Sequence, residues 1–314
     1  MKKKIVVLGG GTGLSILLNG LKMFPIDISA VVSVSDDGSS TGRLREEFNI
    51  PAVGDIRRVL VSLSETEPLF EQLLNYRFKT TSDLNGHTVG NLLLTAASSI
   101  GGNLSEGIEI LSKVLNLKGK VVPLTEDNVV LMGKMEDGSI IEGEHNITQS
   151  ELIISSVFYK EKPTVNPNVI KEIEEADLIV LSMGSVFTSI IPNLICSEVV
   201  EALEKSNAKI MYVCNMMTQP GETDNFNVSH HIKLLNRFLG KRKVDIAVVN
   251  NGPISEALTK KYETLEQKDP VVYDEENVKK LGVEVIASNF TMIVDENIRH
   301  DYKKLASYIF LHLL

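Results

Sequence analysis

The chain has 314 residues, 43% hydrophobic and 23% charged, with a formal net charge of −9. That composition excludes general disorder and fibrous classes, and it predicts one large-cored domain with room for an elaboration. The acidic balance excludes a surface that neutralises nucleic-acid phosphates broadly, and no run is long and apolar enough to span a bilayer.

Residues 4–9 read as a buried strand stopped by Gly9-Gly10-Gly11-Thr12-Gly13. A helix follows, with Leu14, Leu17, Leu18 and Leu21 on one face and Phe24-Pro25 at its end. Residues 28–34 are unbroken and β-branched, as expected of a strand covered on both faces of a parallel sheet, which completes a βαβ unit. Residues 55–115 are largely helical in pattern. Residues 119–158 change character: short alternating segments about Asp137-Gly138, a hairpin signal, predict an antiparallel insertion. Strands resume at 178–182, 209–214, 244–250 and 283–287, and an amphipathic helix is expected at 299–314. Cys196 and Cys214 sit in apolar runs without metal-ligand spacing, so buried thiols and a reducing, cytoplasmic setting are expected.

The predicted fold class is therefore α/β: a mainly parallel sheet with helices on both faces and a small antiparallel β insertion, in a single domain. Ligands of such sheets gather outside the carboxyl ends of the strands. The turn Gly10-Gly11-Thr12-Gly13 suits phosphate, because glycine lets the backbone approach an anion and the helix start presents free N–H groups. A nicotinamide dinucleotide is the weaker reading, since Leu14 stands where that fingerprint has its last glycine. Asp36 and Asp37 follow the second strand. Together they suit Mg²⁺ beside a diphosphate, or one acts as a base; the alternative is a solvated turn that caps the next helix.

Arg57 is read either as a bidentate phosphate partner or as surface charge. His87, at another helix start, is either an acid, base or phosphate donor, or a structural histidine. Gly184 and Ser185, with the Thr188 hydroxyl, offer a second anion loop. Asn215, Thr218 and Asn250 end strands, where they are either nucleotide and sugar contacts or turn formers. The remaining histidines, His300 among them, are read as surface or structural.

Taken together, residues 9–15, 36–45, 54–57, 86–91, 184–193, 215–224 and 249–253 resemble, in order, the loops of the CofD-like proteins and, within them, the bacterial YvcK group of gluconeogenesis factors. The resemblance implies a Rossmann-like core with a nucleotide pocket at the strand ends. It implies diphosphate contacts from Gly10 to Gly13, Gly184, Ser185 and Thr188, metal or catalytic roles for Asp36 and Asp37, and nucleotide or sugar contacts from Asn215, Thr218 and Asn250. The expected function is UDP-sugar binding linked to cell shape and wall synthesis under gluconeogenic growth. The alternative is a Mg²⁺-dependent phospholactyl or phosphoryl transferase using a nucleotide-diphosphate donor. A homodimer is the default expectation for a soluble homo-oligomer. In this chain Ser182-Met183-Gly184-Ser185 stands where the family usually has Gly-Pro-Gly-Ser.

Overall fold

The computed structural model describes residues 2–314. Its strands, in chain order, are β1 (Lys4–Gly9), β2 (Asp27–Val32), β3 (Lys120–Pro123), β4 (Leu131–Met135), β5 (Ile140–Glu142), β6 (Ile154–Tyr159), β7 (Leu178–Leu181), β8 (Lys209–Val213), β9 (Ile246–Asn250), β10 (Glu284–Ser288), β11 (Thr291–Val294) and β12 (Asn297–His300). Seven form one sheet in the order β10-β9-β8-β7-β1-β2-β3, and each neighbouring pair in it is parallel.

The interiors of the central strands are largely apolar because both sheet faces are covered; the buried Ser29 of β2 is satisfied by Glu172 Oε2 at 2.7 Å. Ile5 and Val7 join a cluster with Leu14, Leu17, Leu21, Ile56 and Leu305, while Val6 and Leu8 join another with Ile190, Leu203 and Ile232 on the opposite face. Alternate residues thus feed alternate cores, and each fully buried Leu or Ile contributes about 1.5–3 kcal/mol.

Two boundaries differ from the sequence pattern. Lys120–Pro123 is an edge strand parallel to β2, whereas an antiparallel insertion was expected from residue 119. Four residues are too few to show a period, so only the partner identifies this strand. The antiparallel sheet is β5-β4-β6, its hairpin turning at Asp137-Gly138 with Gly138 at φ 88°. Near the carboxyl end, Arg299 and His300 belong to β12, which pairs antiparallel with β11, and the last helix begins at Tyr302. Asp301 caps that helix by accepting from Lys304 N at 3.0 Å.

From β1 the chain winds outward through β2 and β3; from β7, beside β1, it winds the other way through β8, β9 and β10. The switch point between β1 and β7 is where such sheets open a crevice. Gly13 lets the two loops meet there, since a Cβ at this position would lie 2.5 Å from the Met183 carbonyl oxygen. Among the described residues no single helix is long and apolar enough to cross a membrane.

Candidate functional site

At the switch point lies a cavity of about 460 Å³, within the range of about 300–1,000 Å³ usual for small-ligand sites. One wall is Gly10, Gly11, Thr12 and Gly13; the facing wall is Met183, Gly184, Ser185 and Ser189. Asn215, Met216, Met217, Thr218 and Gln219 close it from the end of β8, and Tyr262, Lys268, Arg299 and His300 from the last part of the chain.

The glycine turn forms because Gly11 adopts φ +64° at the start of the helix Gly11–Leu21. Gly11 N donates to Asp55 Oδ2 at 2.6 Å, so this amide already holds an internal anion. Thr12 and Gly13 retain first-turn N–H groups with no intrahelical acceptor. Asp55 comes from the helix Gly54–Leu63 and pairs with Arg58 Nη1 at 2.5 Å. Burial pushes its carboxyl up to about 6 against the opposing pull of Arg58.

On the facing loop, Ser185 Oγ accepts from Thr188 N at 3.0 Å and donates to Glu222 Oε2 at 2.5 Å. Thr188 therefore braces Ser185 and does not itself line the cavity. Asn215 Nδ2 donates to the Gly184 carbonyl at 3.0 Å, which fixes its amide and leaves Oδ1 as a buried acceptor without a partner. Gln219 Oε1 is another such acceptor. Buried polar atoms are normally paired; these two oxygens belong to residues that line the cavity but are themselves closed off from it.

The last wall is mixed in charge with a positive excess. Lys268, Arg299 and Glu266 line the cavity; Lys268 Nζ pairs with Glu266 Oε2 at 2.7 Å, and a diphosphate attracts Arg299 and, in competition with Glu266, Lys268. His300 Nε2 meets the Cys214 carbonyl at 3.1 Å. A carbonyl only accepts, so Nε2 carries the proton and Nδ1 is left as an acceptor. Burial pushes this imidazole down to about 4, which keeps it neutral at pH 7.

The model of the family described as "2-phospho-L-lactate transferase CofD" matches residues 5–291. This chain belongs to the CofD family. It is 45% identical over 309 residues to proteins named gluconeogenesis factor from Halalkalibacterium halodurans and Bacillus subtilis, covering 98% of this chain and 96% and 97% of those. A crystal structure of a Bacillus halodurans protein, 45% identical, superposes with a TM-score of 0.94 over 98% of this chain and 99% of that one.

Not every residue expected of a CofD-family site lies at this cavity. Asp36 Oδ1 accepts from Gly38 N at 3.0 Å and Oδ2 from Thr41 Oγ1 at 3.1 Å, the hydrogen bonding of a local turn just before the helix Ser39–Phe48, whose N-cap is Gly38. Asp37 accepts from His145 N at 2.8 Å and faces a different surface hollow. The two neighbouring carboxylates thus hold different partners. Among the described residues no three His, Cys, Asp or Glu side chains converge to hold a metal ion. The residues present do not fit a magnesium ion caged by this chain alone.

Arg57 is buried, with Nε donating to Asn91 Oδ1 at 3.3 Å and Nη1 to Asn75 Oδ1. Burial, aided by Arg58 and Arg77, brings its guanidinium down to about 10. His87 is buried against Ser40 Oγ at 3.0 Å, and burial lowers its basicity. Neither lines the CofD-family cavity. Asn250 Oδ1 accepts from Phe290 N at 2.8 Å and Thr291 Oγ1 at 3.3 Å, while Nδ2 donates to the Gly252 carbonyl at 3.1 Å. Its side chain clasps the β9 loop to the start of β11.

Sequence reasoning gave no binding role to Lys268, Arg299 or His300, because they come from segments without a recognisable motif. Glu222 stands within the resembling loop 215–224, and an acid between Gly221 and Thr223 was the one available cue. Asp55 carries no local signal for this site, because its contact with Gly11 crosses between elements far apart in sequence.

Proposed function

We propose that this chain binds a nucleotide sugar of the UDP type in the switch-point cavity. In this reading it serves in the cytoplasm as a gluconeogenesis factor, needed for cell shape and wall morphogenesis during growth on gluconeogenic carbon sources. One observation carries it: the free first-turn amides of Thr12 and Gly13 line a single cavity together with Lys268 and Arg299. That arrangement suits a diphosphate. The name borne by the 45%-identical relatives, gluconeogenesis factor, supports the link to gluconeogenic growth.

Isothermal titration with UDP-N-acetylglucosamine and UDP-glucose, against ADP- and GDP-sugars, tests the reading. Saturable binding of the uridine compounds is expected, with weaker binding of the others. No heat with any UDP-sugar overturns it. Steady release of UDP during the same incubation would replace the binding role with a transferase one.

A further inference from the structure

The hydroxyl at the heart of the second anion loop has its hydrogen bonding filled. Ser185 Oγ donates to Glu222 Oε2 at 2.5 Å and accepts from Thr188 N at 3.0 Å and Thr188 Oγ1 at 2.9 Å. One proton and two lone pairs are all a hydroxyl has. While Glu222 is ionised, Ser185 therefore lines the cavity yet has no proton to offer an anionic ligand. Glu222 itself is 4% exposed and never reaches the cavity lining.

We propose that binding a diphosphate at this loop takes up one proton at Glu222, making Glu222 a positioning residue for the ligand site. The inference rests on the UDP-sugar reading above. In the protonated state the Glu222 hydroxyl donates to Ser185 Oγ. Ser185 then accepts from Glu222 and from Thr188 N, and its own proton turns to a phosphate oxygen. Thr188 Oγ1 gives up its bond to Ser185 and turns its proton toward Glu144, which faces it. No covalent bond is made or broken apart from the O–H formed on Glu222, and the proton comes from solvent.

The surroundings make that uptake accessible near neutrality. Burial pushes the Glu222 carboxyl up to about 7; Asp224 raises it further, while Lys268 and the hydrogen bonds from Ser185 Oγ and Phe187 N oppose the rise. Two other acids lie close enough to mimic the effect. Glu144, held at about 7 by burial and by Asp36, faces Thr188. Asp55, at about 6, holds the Gly11 amide. The test has to tell these three apart.

Titration of the full chain with UDP-N-acetylglucosamine, in pairs of buffers differing in ionisation enthalpy, measures the protons taken up. The diphosphate of this probe is a diester and does not titrate over the window, so uptake belongs to the protein. Above about pH 7 the expected uptake approaches one proton per ligand, and affinity falls by up to about tenfold per pH unit. Below about pH 6 uptake should vanish.

Glu222→Gln donates to Ser185 through its amide without titrating, so it should bind with this proton uptake gone. Ser185→Ala, which has no hydroxyl to turn, should lose the uptake too. Glu144→Gln and Asp55→Asn should keep it. If Glu222→Gln fails to fold, as judged by thermal unfolding, Ser185→Ala and the wild-type buffer dependence carry the test. Binding with no buffer-dependent heat, or undiminished uptake in Ser185→Ala, overturns this inference alone. Absence of binding at every pH overturns the functional reading and this inference with it.

Discussion

Replacing Gly13 by alanine sets two well-defined effects against each other. The new methyl would lie 2.5 Å from Met183 O, 2.7 Å from Met183 C and 2.8 Å from Gly184 N. All three are backbone atoms of the loop after β7, so no side chain can rotate away. Alanine is the better helix former by about 0.5–1 kcal/mol. Overpacking costs about 1–3 kcal/mol, and a backbone partner puts this case toward the upper end. The net expectation is a loss of about 1–2 kcal/mol of stability, by the difference of those two ranges. The loops must also move apart, which shifts the Thr12 and Gly13 amides relative to the facing wall of the cavity.

Gly20→Ala is the matched comparison. Its Cβ would meet Tyr302 O at 2.3 Å, a clash of the same kind where two helices touch away from the cavity. Denaturant unfolding with linear extrapolation and titration with UDP-N-acetylglucosamine read both variants. Both should lose stability, and only Gly13→Ala should lose affinity by tenfold or more. A Gly13→Ala protein as stable as wild type with unchanged affinity would refute the reasoning, as would equal affinity losses in the two variants.

Arg299→Ala should weaken UDP-sugar binding by about 1.5–3 kcal/mol, the usual contribution of a hydrogen bond to a charged group, and flatten its salt dependence; titration at two ionic strengths checks both. Asn250→Ala should cost about 1–3 kcal/mol of stability by orphaning Phe290 N, yet leave affinity within about twofold, as unfolding and titration would show. His231 is buried, donates from Nδ1 to the Asn227 carbonyl at 3.0 Å, and is pushed by burial from 6.5 down to about 4. In that window the unfolded chain binds the proton and the folded one does not, so stability falls as pH drops from 6.5 to about 4. His231→Gln should flatten that acid limb by up to about 1.4 kcal/mol per pH unit, read by unfolding at a series of pH values.

The parallel sheet was legible because β1, β2, β7, β8 and β9 are continuous apolar runs, the pattern that burial on both faces demands. β3 was misassigned because Val121 and Val122 alone carry no period, and partner choice is non-local. The two glycine loops were legible for a related reason: their chemistry is concentrated in a few adjacent residues. Lys268, Arg299 and His300 were not, since nothing in their neighbourhoods distinguishes a cavity wall from a solvated face. Asp36 was read either as a metal or catalytic acid or as part of a turn before a helix, and its partners Gly38 N and Thr41 Oγ1 are those of a local turn. Asp55 shows the converse, a residue whose helix-start position concealed a long-range contact with Gly11.

The cavity's walls come from residues 10–13 and residues 297–300, with the rest of the chain threaded between them. During synthesis the glycine turn emerges first and must wait for Arg299 before any ligand meets a complete site. A bound ligand therefore acts as a late strap between segments that join only when the whole sheet has assembled. Ligand protection against proteolysis should accordingly extend to the β11–β12 hairpin, rather than stop at the glycine turn.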